Sequence, residues 1–86
     1  MNENRLLTVN KAVAMRIREL LAAHKMSQYR LEQSSGVSHS LLGFILKDRN
    51  NSVNFKTVLM LANGFGMTVL EFLDSPYFDF DGLEIE

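Results

Sequence analysis

Eighty-six residues, 47% of them apolar, with five Gly, one Pro and no Cys, describe one small domain with one core, since a chain of this size buries only roughly 60 to 65% of the surface its unfolded form exposes. These totals exclude a disordered or fibrous chain, a disulfide framework, a thiolate nucleophile and a cysteine metal cage. The net charge of −1 hides a segregation: residues 1–56 hold all nine Lys and Arg against four acids, a net +5, and residues 57–86 hold six acids and no base, a net −6, so a basic working face and an acidic tail are expected.

In the first element, from Asn10 to His24, Val13, Ile17, Leu20 and Leu21 fall at i, i+4, i+7 and i+8. That is the stripe of an amphipathic helix, with Asn10 as its expected cap. Ser27 is suited to cap a second helix over 28–34 with Leu31 inward, and Gly36 supplies the positive φ of a sharp turn. Ser38 opens a third helix to about Lys47, with Leu42 and Ile45 on one face. "KDRNNSVN" is polar and reads as a loop, after which Asn54 caps a fourth helix through Val58, Leu61, Ala62 and Phe65, closed by Gly66 in left-handed geometry. "TVLE" at 68–71 has the pattern of a capping box and starts a fifth helix that Pro76 stops. Helices this short hold only by packing their apolar faces together, so the fold class is all-α, a compact five-helix bundle.

Beyond Pro76, Phe78, Phe80, Leu83 and Ile85 alternate with acids. Period two predicts an extended segment, either paired or loosely ordered. The domain is therefore placed at 10–75, with 76–86 as an acidic C-terminal extension. No stretch has the length and continuous apolarity of a membrane span, and the first residues lack the pattern of a signal peptide, so a cytoplasmic protein is expected.

A capped helix, a turn at Gly and a second capped helix form a helix-turn-helix. The stretch 26–73, with "SQ" opening helix two, Leu31 at its centre, "SGVS" at the turn, Leu42 and Ile45 inward on helix three and "LANGFGMTVLEFL" at the end, resembles the XRE family related to Cro and the lambda-type repressors. The resemblance implies a lambda repressor-like DNA-binding domain, double-stranded DNA as partner, a homodimer and a role in transcription regulation. It places Gln28 near a phosphate at the start of helix two, where the helix dipole favours an anion. Ser38, His39 and Ser40, with Leu41 and Phe44 on the same outward side, are placed in the major groove. Lys47, Arg49, Asn51 and Asn54 are placed on the neighbouring backbone. Independently of the family, outward Leu41 and Phe44 call for a partner, and a thymine methyl is one.

Four features set this stretch apart. No Arg or Asn lies between Ser38 and Leu46, so bidentate reading of guanine or adenine from mid-helix is absent. Leu46 stands where the family often has Glu, Gly43 weakens its helix by about 1 kcal/mol relative to Ala, and Glu32 replaces a small residue, leaving a carboxylate that needs solvent or a partner. The competing reading is a protein-interaction module, an antitoxin or an antagonist of another regulator, docking through Leu41, Phe44 and Leu46. Folding of the acidic half over the basic face is a third. His24 and His39 are the only imidazoles and no nucleophile or carboxylate dyad accompanies them, so neither enzyme activity, cofactor, metal nor small-molecule effector is expected.

Overall fold

Each helix opens where a short polar side chain, held in extended backbone geometry, takes an N–H that the first helical turn leaves without a partner. The computed structural model describes residues 7–47 and 53–84. Among them are five helices: α1 (Val9–His24), α2 (Gln28–Ser35), α3 (His39–Leu46), α4 (Phe55–Gly64) and α5 (Val69–Leu73). Ser27 accepts from the Arg30 N–H, Ser38 from Leu41 and Asn54 from Thr57. Thr68 accepts from Glu71 while Glu71 Oε1 accepts from the Thr68 N–H, completing the capping box.

The start of α1 corrects one expectation. Thr8, not Asn10, is the cap, its hydroxyl accepting from Lys11 at 3.0 Å. Asn10 lies within the first turn, fully buried, and its Nδ2 donates to the Ile45 carbonyl at 3.2 Å. Asn10 is the second residue of α1, already past the capping position, so its amide is directed into the core instead.

Two helix ends share one geometry. After α4, Gly66 at φ +72 lets the Met67 N–H reach back to Ala62 O and its own N–H to Asn63 O, the paired closure of a left-handed C-terminal cap. After α1 the same closure is made by Lys25 at φ +52, with Met26 N–H on Leu21 O, although a side chain is strained there.

Ile17, Leu31, Leu42, Ile45, Leu61 and Phe72 are wholly buried and form the centre of the core. Each aliphatic one contributes about 1.5–3 kcal/mol relative to an exposed position. α2 lies against α4 at Gly64, where a Cβ would come within 2.6 Å of Ser35 Cβ, and Ser34 Oγ donates to the Gly64 carbonyl at 2.9 Å. α3 is anchored to α1 by Asn10 and by Arg18, whose guanidinium donates to the Leu46 carbonyl at 2.6 Å. Arg16 ties α1 to α5 in the same way, donating to the Phe72 and Glu71 carbonyls at 2.7 and 2.8 Å and pairing with Glu19.

The acidic extension differs from its period-two reading. Residues Pro76–Phe78 and Phe80–Gly82 form single 3-10 turns, capped at the first by Ser75. Phe78 packs against the core with its ring 6.2 Å from that of Phe72. Only Leu83–Glu84 (β2) is extended, pairing in parallel with Leu7–Thr8 (β1). Alternation of apolar residues is also satisfied by a chain that turns sharply enough to bury one ring and expose the next, as half-buried Phe78 and exposed Phe80 do. Among the described residues, no helix is long and apolar enough to cross a membrane.

Candidate nucleic-acid interface

The period of α3 divides it into two faces. Leu42 and Ile45, three apart, are fully buried. Ser40, Phe44 and Lys47, at i, i+4 and i+7, are exposed on the other side together with His39. These four and Gly43 line an open groove of about 350 Å³. Phe44 keeps 51% of its surface exposed, a large apolar contact surface on the outer side of α3. Gly43 adds to the opening, because a Cβ built there meets nothing within 4 Å.

The sequence-derived residues are distributed unevenly about this groove. His39, Ser40, Phe44 and Lys47 line it together. Ser38 stands at its N-terminal end, exposed, with its hydroxyl oxygen taken by the Leu41 N–H. Leu41 does not share the outward stripe: it is half-buried and packs against the core, as does Leu46, so the exposed large apolar surface of α3 narrows to Phe44. Gln28 is the half-buried first residue of α2. Asn54 is exposed and caps α4 through Oδ1 at 2.8 Å, leaving its NH2 end to donate elsewhere. Arg49 and Asn51 lie outside the described residues.

The charge segregation also has a finer grain than the totals suggest. Arg16 and Arg18 belong to the +5 half, yet their guanidinium groups serve the C-terminal carbonyls of α5 and α3. Lys25, Arg30, Lys47 and Lys56 are the other exposed bases of the described chain outside the first turn of α1. Lys47 is the one that borders the groove.

Spacing did not single out Glu32 as a participant. Its carboxylate Oε2 lies 2.7 Å from His39 Nδ1, joining α2 to the first residue of α3, with side-chain exposures of 10% for Glu32 and 81% for His39. The available signal was the chemistry of an acid at a position where a small residue packs between two helices, which requires a partner. Among the described residues, no group of three His, Asp or Glu is disposed to hold a metal.

The outer face of α3 thus offers an exposed ring, hydroxyl and imidazole groups and a terminal base on a helix whose inner face is fixed in the core. The model of the Cro/C1-type HTH DNA-binding domain matches residues 16–76. Comparison with curated proteins gives no match.

Proposed function

The chain belongs to the Cro/C1-type HTH DNA-binding family, and on that premise we propose that it is a sequence-specific regulator of transcription from a prokaryote or phage, laying the outer stripe of α3 in the major groove of its operator. The observation that carries this reading is the division of α3 itself: Leu42 and Ile45 are wholly buried while Phe44, two residues from the first and one from the second, is half exposed in an open groove with His39, Ser40 and Lys47. A helix so anchored presents its N-terminal outward residues at a fixed angle, the requirement for reading base edges.

In this reading His39 and Ser40 meet base edges and Phe44 meets a thymine methyl. Lys47, Arg49, Asn51 and Asn54 hold the flanking backbone, and Gln28 sits by a phosphate at the start of α2. Half-buried Leu41 supports the helix from beneath. Two copies related by a two-fold axis would read a palindrome, each contributing one α3.

Selection from random duplex DNA tests the reading: an enriched palindrome is the expected result, and uniform recovery of all sequences overturns it. Log affinity for the enriched site should also fall linearly with log salt, at a slope near −0.9 for each phosphate contact. The exposed Phe44 favours one second reading, a protein partner on the same groove. A partner capture that persists after nuclease digestion would support that reading over DNA.

A further inference from the structure

The position of Glu32 deepens the proposal above and rests on it. We propose that Glu32 is the residue that sets base preference through His39: it holds the imidazole proton on Nδ1, so that Nε2 meets DNA as a hydrogen-bond acceptor and selects a base that presents an amine, adenine N6 or cytosine N4.

The argument begins with the 2.7 Å contact between His39 Nδ1 and Glu32 Oε2. An ionised carboxylate only accepts hydrogen bonds, so the nitrogen facing it carries the hydrogen. In a neutral imidazole the other nitrogen is then bare, with its lone pair directed away across the ring. Glu32 is the inner member of the pair, with 10% of its side chain exposed, and His39 the outer, with 81%. The Nε2 edge is therefore turned away from the protein, in the residue that lines the α3 groove with Ser40 and Phe44.

That arrangement discriminates among the groups a duplex offers. Phosphate oxygens only accept, and a bare Nε2 has no hydrogen to give them; the neighbouring carboxylate repels them as well. Guanine presents N7 and O6, and thymine O4, again acceptors only. Adenine N6 and cytosine N4 are the major-groove donors, and they alone complete the bond. Residue 39 is the first of α3, at the end of a recognition helix that approaches base edges most closely. The acid that departs from the small residue expected between the two motif helices and the imidazole that opens α3 thus form one device.

The experiment has two arms. In mildly alkaline buffer without DNA, nitrogen NMR of the imidazole should show His39 protonated at Nδ1 and bare at Nε2, and Glu32→Ala should move the hydrogen to Nε2, the form that free imidazole favours. Selection from random duplexes with the wild type, Glu32→Ala and His39→Ala should then show adenine or cytosine enriched at one position of each half-site by the wild type. Both variants should lose about tenfold of that preference and keep the preferences at the remaining positions. A wild-type ring protonated at Nε2 overturns the assignment, as does a base preference that survives Glu32→Ala. Failure of the wild type to enrich any sequence would instead overturn the DNA reading from which the assignment starts, and the NMR arm distinguishes the two cases.

Discussion

Asn10 in α1 donates from Nδ2 to the backbone carbonyl of Ile45 in α3, 3.2 Å away, and both residues are fully buried. Ile45 is the penultimate residue of α3, so its carbonyl is one of those a helix end leaves without an i+4 donor. The bond gives that carbonyl a side-chain donor and pins α3 to α1. Replacing Asn10 with Ala should lower stability by about 2 kcal/mol, because a buried hydrogen bond between α1 and α3 is lost and a small void opens. Urea unfolding at equilibrium measures this, and a loss below a few tenths of a kcal/mol would show that the bond does not hold α3 in place.

Gly64 and Gly43 should respond to Ala with opposite signs. At Gly64 the new methyl would meet Ser35 Cβ at 2.6 Å and Leu31 Cδ1 at 3.1 Å, forcing α2 and α4 apart at a cost of about 1–3 kcal/mol. At Gly43 there is open space, and the helix should gain about 1 kcal/mol. Thermal unfolding of the two variants checks the pair. Reduced DNA affinity in the more stable Gly43→Ala protein would identify this point of α3 as one that DNA approaches closely.

Arg16 and Lys47 separate the two uses of positive charge. Arg16, with 11% of its side chain exposed, holds two α5 carbonyls. Arg16→Met should therefore reduce stability by about 2 kcal/mol and leave the salt dependence of DNA binding unchanged in the folded protein. Lys47→Ala should leave unfolding nearly unchanged, weaken binding to every sequence and reduce the slope of log affinity against log salt by about one. Equal slopes for Lys47→Ala and the wild type would remove Lys47 from the phosphate contacts.

Lys25 occupies a left-handed position, φ +52, that glycine accepts without strain. Lys25→Gly should raise stability by about 1 kcal/mol, the relief of backbone strain exceeding the entropy glycine adds to the unfolded chain. A lower melting temperature in the variant would contradict this.

The features that depend on near neighbours in the chain were legible from residue order alone. Ser27, Ser38, Asn54 and Thr68 cap their helices as expected, Glu71 completes its capping box, Gly36 and Gly66 take positive φ, and Leu31, Leu42, Ile45 and Leu61 are buried. Each involves a bond or a helical spacing confined to a few residues, so local geometry determines it. Tertiary packing decided what the longer polar side chains do. It took Asn10 from a cap to the Ile45 carbonyl, committed Arg16 and Arg18 to the ends of α5 and α3, tucked Leu41 against the core, turned the alternating extension into 3-10 turns, and set Glu32 against His39. A buried donor or acceptor must be satisfied by whichever group the fold brings within about 3 Å, and no spacing along the chain specifies which group that is.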